Sequence, residues 1–268
     1  MTGSRVGERN KVNPCLLTGC SLSLLRKDIY INRANMLSFL ADLPEQTPDA
    51  VTVYLPPGLT RDEITSTLRL VFKDGAEDII EATVVSKTGV CLFWGVVKRL
   101  IYPPFPIQDN AVFTGYATGP LISILKHDRT IAIVLVRLGA YGLGVCRGEK
   151  LIVNKVGTGL IHARHRQGGS SSQRFRRHRE KQIEQFLIRV CERVHEYIVP
   201  KIKNVDHIVY GGARTTIELL QKQCPVLESL QNRVLPPLLD ISDPRQSVLE
   251  AAARRIWSSH VVEWDEQD

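Results

Sequence analysis

The sequence predicts an α/β (α+β) protein of two successive domains, and three observations carry that prediction. Short apolar, β-branched runs alternate with amphipathic stretches at three- and four-residue spacing along most of the 268 residues. Tyr102-Pro-Pro-Phe-Pro106 interrupts the alternation with a rigid extended break. After the break, three strand-like runs follow one another and end in a basic, glycine- and serine-rich stretch that opens into a long amphipathic helix.

Residues 1–14 read as a polar lead without the apolar segment of a secretory signal. Met36, Phe39 and Leu40 place a helix over 35–43, and Ala50-Val-Thr-Val-Tyr-Leu55 is a strand closed by Pro56-Pro57-Gly58. Thr60 with Glu63 makes a capping box for a helix reaching Leu70. Ile79–Val85 and Gly89–Val97 continue the alternation. Residues 1–106 are therefore expected to form a small α/β domain, and 107–127 a connector with a short helix near Leu121–Leu125.

The second domain, 128–268, opens with Arg129–Arg137, whose almost wholly apolar run suits a strand buried on both faces. Leu138–Cys146 is a second strand, turning at Arg147-Gly148-Glu149, and Lys150 begins a third that continues towards Ile161. Phe175, Ile183, Phe186, Leu187, Val190, Val194 and Ile198 then mark a helix of about seven turns, stopped by Pro200. A fourth strand at Val205–Tyr210, a helix at Arg214–Gln223, a last strand at Val234–Asp240 and a closing helix at Ser247–Trp257 complete βββ-α-β-α-β-α, a mixed sheet flanked by helices.

A net charge of +7 and a pI near 9.2 favour an anionic partner. Clustering says more: seven Lys/Arg residues fall between Arg164 and Lys181, namely Arg164, Arg166, Arg174, Arg176, Arg177, Arg179 and Lys181. They flank Gly168-Gly169-Ser170-Ser171-Ser172-Gln173, and three histidines (His162, His165 and His178) stand among them. A polar tip between cationic shoulders points to a nucleic acid partner. No apolar run approaches the ~20 residues of a membrane span. The six cysteines are scattered and are expected to be reduced and structural; Cys15 and Cys20 lack the second Cys/His pair of a zinc site. No metal site and no cofactor is expected.

With these elements placed, residues from about 121 to 257 resemble the central domain of the eukaryotic and archaeal class I translation release factors. In that family three strands lead into a basic Gly-Gly-Gln loop followed by an Arg-Phe-bearing basic helix; here Gly168-Gly169 and Arg174-Phe175 occupy those places. The resemblance is stronger to the Vms-like release factors, which cleave peptidyl-tRNA on stalled ribosomes or large subunits, and it implies an RNase H/ribosomal-protein-like sheet. The family's glutamine position holds Ser170, with Gln173 three residues on. Vms-like members carry spaced versions of the motif. Gln173 is therefore the expected active amide, with Gln167 as the alternative. No Asn-Ile-Lys-Ser decoding motif occurs in 1–106, and the chain ends soon after Trp264, so neither stop-codon reading nor a C-terminal partner-binding domain is expected.

The resemblance implies a cytoplasmic peptidyl-tRNA hydrolase acting in the peptidyl transferase centre of the large ribosomal subunit, with peptidyl-tRNA and rRNA as partners. Gly168, Gly169 and Ser170–Ser172 would carry Gln173 to the ester, where its amide or backbone positions a water. The seven cations would hold phosphates and set register without reading bases. The alternative is a noncatalytic ribosome- or RNA-binding protein that uses the loop and helix as an rRNA contact. Two further rivals lack their signatures. Gly169-Ser-Ser-Ser is no G-x-S-x-G elbow, and Asp206 and Asp240 are isolated rather than convergent on a metal pair. Gly211-Gly212 reads as a tight strand-to-helix turn.

Overall fold

The computed structural model describes residues 25–44, 47, 49–72, 76–96, 98–162 and 170–265. In chain order its first elements are β1 (Leu25–Ile31), α1 (Arg33–Asp42), β2 (Val51–Leu55), α2 (Arg61–Leu68), α3 (Glu77–Val85), β3 (Val90–Trp94), β4 (Arg99–Tyr102), β5 (Ala111–Thr114) and α4 (Gly119–Lys126). There follow β6 (Thr130–Arg137), β7 (Ala140–Arg147), β8 (Lys150–Thr158), α5 (Ser170–Tyr197), β9 (His207–Gly212), α6 (Arg214–Gln223), α7 (Pro225–Glu228), α8 (Gln246–Arg255) and β10 (Ser259–Asp265). The chain is a mixed α/β protein with two sheets and divides into two units, residues 1–125 with 259–268, and residues 126–258.

The first unit is a six-stranded sheet in the order β1-β10-β4-β3-β2-β5, with every pairing antiparallel. Successive residues of β3 serve opposite faces. Cys91 and Phe93 join Met36, Leu40, Leu121 and Leu125 from α1 and α4. Val90, Leu92 and Trp94 join Ile64, Leu68 and Ile79 from α2 and α3. Both faces are covered, which is why β3 is apolar at every position rather than alternating. The expected capping box is present: Thr60 caps Glu63 N, and the Glu63 carboxylate accepts from Thr60 N at 2.8 Å.

Two departures from the sequence reading concern this unit. The stretch read as a connector, 107–127, supplies β5 and α4, which belong to the first sheet and its helical cover. The C-terminal stretch, read with the second domain, supplies β10 between β1 and β4. Val261 and Val262 are buried on opposite faces there, so β10 completes both halves of the first core.

In the second unit the sheet order is β8-β7-β6-β9; β6, β7 and β8 form an antiparallel meander and β9 runs parallel to β6. Ala132, Val134 and Val136 of β6 and Leu143 and Val145 of β7 share one core with Phe186, Leu187, Val190 and Val194 of α5, with Ile198 just past its end, and with Ile217 and Leu220 of α6. That spacing on α5 is one helical stripe, as the sequence predicts. The segment 234–240 departs from it. In place of a strand there are two isolated parallel bridges to β9, Ile208 with Val234 and Gly211 with Leu239. Between them lie Pro236 and Pro237, which have no N–H to give a ladder.

Candidate functional site

The candidate site is built on the first turns of α5. This helix has 28 residues, about 42 Å of length at 1.5 Å per residue. Its first side chain described as buried is Phe186, so about 24 Å of helix precedes the stripe that docks on the sheet. Gln173 through His178 are all exposed. Gln173 therefore stands in the opening turn of a helix, where the sequence reading has it closing a loop. The backbone of Ser170, Ser171 and Ser172 is helical as well. Arg164, Arg166, Gln167, Gly168 and Gly169 lie outside the described residues.

Charge accumulates at this helix end. Between Gln173 and Lys181 stand Arg174, Arg176, Arg177, Arg179 and Lys181 against the single carboxylate of Glu180. Glu180 pairs with Arg176 at 3.7 Å with both side chains well exposed, a contact that solvent screens heavily. No acidic residue occupies the first turn, so the positive end of the helix dipole adds to the cations. At helical spacing Gln173, Arg176, Arg177 and Glu180 share one face.

A clasp joins the third and fourth turns of α5 to the chain leaving β8. Gln182 Oε1 accepts from His162 N at 3.1 Å, and Arg179 Nε donates to His162 O at 3.1 Å. Gln182 Nε2 also lies 3.2 Å from His178 Nε2, and the His162 and His178 rings stack with centroids 6.1 Å apart. Both backbone groups of His162 are thus satisfied by one helix face. Arg179 serves the clasp through Nε, while Arg174, Arg176, Arg177 and Lys181 are exposed. Sequence reasoning missed Gln182 and His162 as a pair. The available signal was the spacing of His178, Arg179 and Gln182, which places three polar groups on one side of the helix.

The rival chemistries find no such setting. Asp206 Oδ2 accepts from Thr130 N at 2.8 Å, and Asp240 pairs with Arg137 at 3.7 Å, so each carboxylate has a structural partner. Burial pushes the Cys146 thiol up to about 12 and Cys91 higher still, which makes both unreactive. Gly212, at φ +120°, would bring a Cβ to 2.0 Å from Val136 O, so the Gly211-Gly212 pair is a packing requirement of the strand-to-helix turn. The expectation of reduced cysteines is corrected at one place: Cys191 of α5 and Cys224, at the end of α6, form a disulfide with Cα atoms 5.4 Å apart. Sequence cannot pair two cysteines 33 residues apart on different helices without the packing that joins them. Cys15 and Cys20 lie outside the described residues.

A family model described as the Actinobacteria/chloroflexi VLRF1 release factor matches residues 129–262, half of the chain, from the start of β6 into β10. This chain belongs to that release factor family. The match contains the whole meander, α5 and the clasp. Among curated relatives, peptide chain release factor subunit 1 of Picrophilus torridus is 22% identical over 238 residues, covering 77% of this chain and 57% of the relative. The eukaryotic peptide chain release factor subunit 1 of Oxytricha trifallax is 29% identical over 170 residues, covering 58% of this chain and 37% of the relative. The chain of this VLRF1 family member thus spans well under two thirds of either relative. The solved archaeal translation termination factor aRF1 aligns with a TM-score of 0.37 at 18% identity, covering 84% of this chain and 70% of that one. No helix among the described residues is long and apolar enough to cross a membrane.

Proposed function

We propose that this protein is a Vms-like peptidyl-tRNA hydrolase that works in the cytoplasm on stalled ribosomes or split large subunits, rather than a reader of stop codons. The observation that carries the reading is the exposed, cationic opening of α5 with Gln173 in its first turn, four residues after Gly169 and directly before Arg174-Phe175. Membership of a release factor family supports it.

In this reading Arg174, Arg176, Arg177 and Lys181 hold rRNA and tRNA phosphates, and the chain at 164–169 adds Arg164 and Arg166. Gly168 and Gly169 let the backbone pass the narrow peptidyl transferase centre. Ser170–Ser172 carry the chain from those glycines into the helix. The Gln173 amide positions a water against the carbonyl of the ester that joins the nascent peptide to the terminal ribose. Water adds to that carbonyl, the ester C–O bond breaks, and the ribose oxygen takes up a proton, leaving free peptide acid and free tRNA. Backbone N–H groups at the positive end of the helix stabilise the developing oxyanion. The remaining catalytic groups come from the ribosome and the tRNA, so the isolated protein has little activity on a free ester.

Purified protein is incubated with ribosome–nascent-chain complexes and with split large subunits carrying peptidyl-tRNA, and loss of peptidyl-tRNA is followed. Wild type releases peptide, whereas Gln173→Ala binds the particles but does not. Binding without release by the wild type on either particle overturns the hydrolase reading in favour of a noncatalytic rRNA-binding protein.

A further inference from the structure

Cys191, His195 and Cys224 lie together at the junction of α5 with the end of α6, in a cluster that the proposed reaction does not use. Their sulfur and imidazole nitrogen atoms all lie within 4.8 Å of one another. Cys191 and His195 are four residues apart on α5 and so face the same way. Cys224 is fixed from the other side: it ends α6, its N–H donates to Gln221 O, and its carbonyl accepts from Leu227 N in α7. Cys224 is fully buried, Cys191 half-buried and His195 exposed, so the cluster opens to solvent on its histidine side.

We propose that this cluster is a thiol-dependent Cys2His site for a borderline-soft divalent cation, zinc above all, and that the disulfide is its oxidised form. Two thiolates and one imidazole are the donor set that zinc takes and that magnesium and calcium refuse. A tetrahedral zinc with Zn–S bonds of about 2.3 Å holds its sulfurs about 3.8 Å apart. The helices hold these atoms within 4.8 Å of one another, close to the spacing such a site needs. Three protein ligands leave a fourth position open on the His195 side, where water completes the shell.

The chemistry balances with a small-molecule thiol as reductant. Two such thiols give two electrons and two protons to the Cys191–Cys224 bond and leave as their own disulfide. Metal binding then expels the two cysteine protons to solvent while neutral His195 donates its ring nitrogen. In a compartment that keeps thiols reduced, the metal would replace the disulfide as the cross-link between α5 and the α6–α7 corner. The core that seats the long helix would then be stapled in either redox state.

The test uses the full chain in a Cys15→Ser, Cys20→Ser background, because those two cysteines are competing ligands. Zinc binding is measured by equilibrium dialysis, and cobalt(II) serves as a spectroscopic probe of thiolate ligation. The reduced protein should bind one zinc per chain, show thiolate-to-cobalt charge-transfer absorption, and gain thermal stability as zinc is raised. The oxidised protein should do none of these. His195→Gln, an exposed change that leaves the cysteine pair intact, should weaken zinc binding by at least tenfold, the lower end of the loss seen when only a supporting group of a metal site is removed. Cys224→Ser should abolish it. Equal binding by oxidised and reduced protein, no binding by the reduced protein, or unchanged affinity in His195→Gln would each overturn the proposal.

Discussion

Arg179, in the third turn of α5, donates from Nε to the carbonyl oxygen of His162, 3.1 Å away, while Gln182 one turn on accepts from the His162 N–H. The chain leaving β8 is thereby held to α5 on the side turned away from Gln173.

Gln182→Ala should loosen that anchor. The loss of a backbone-directed hydrogen bond costs about 1 kcal/mol. Faster hydrogen exchange at the His162 amide would report the opening. On the proposed function, peptide release should slow several-fold while ribosome affinity stays close to wild type. An unchanged His162 amide would show that the clasp does not persist in solution.

The exposed cations should act through phosphate. Replacing Arg176 and Arg177 together by Ala should weaken binding to large subunits and flatten its salt dependence. Each lost phosphate contact reduces the slope of log K against log salt by about 0.7 to 0.9. Arg193, further along α5 and paired with Glu196, should leave the slope untouched when changed to Ala.

The disulfide closes a loop of 33 residues. Cys191→Ser should therefore lower the unfolding free energy of the oxidised, metal-free protein by about 4 kcal/mol in the chain-entropy description. With reductant and chelator present, wild type and variant should unfold at closely similar denaturant concentrations.

Gly157 of β8 lies against the Tyr141 ring, and a Cβ built there falls 2.4 Å from the hydroxyl oxygen and 2.5 Å from Cζ. Tyr141 is 7% exposed and packs beside Phe186, so the ring has little room to withdraw. Gly157→Ala should destabilise the second unit by about 1–3 kcal/mol, measurable by chemical denaturation.

Burial first, and then the Arg129 cation, hold His207 below the usual imidazole range. Above about pH 6.5 the residue is neutral in both folded and unfolded chains. As pH falls below that value the unfolded chain takes up the proton first, so stability declines until the lower, folded pKa is reached. His207→Gln should flatten the stability profile across that interval. A profile with the same slope in wild type and variant would assign the acid sensitivity to other groups.

Much of the architecture is legible in the chain because it rests on local periodicity. The apolar run Thr130–Arg137, the turn at Gly148, the stripe from Phe186 to Ile198 and the Thr60–Glu63 box each need only near neighbours to be recognised. The basic cluster and Gln173 were legible too, as residue types at fixed spacing. Segments whose partners are distant in sequence were not. Ser259–Asp265 has the same alternation whichever sheet it joins, and only pairing with Leu25–Ile31 and Arg99–Tyr102 places it in the first unit. Val234–Asp240 has strand composition, but two prolines leave it two bridges. The Cys191–Cys224 bond, the His162 clasp and the helical setting of Gln173 were decided by tertiary structure alone. Each depends on where a 28-residue helix comes to rest on the sheet, and that is set by burial over the whole second core rather than by any local run of residues.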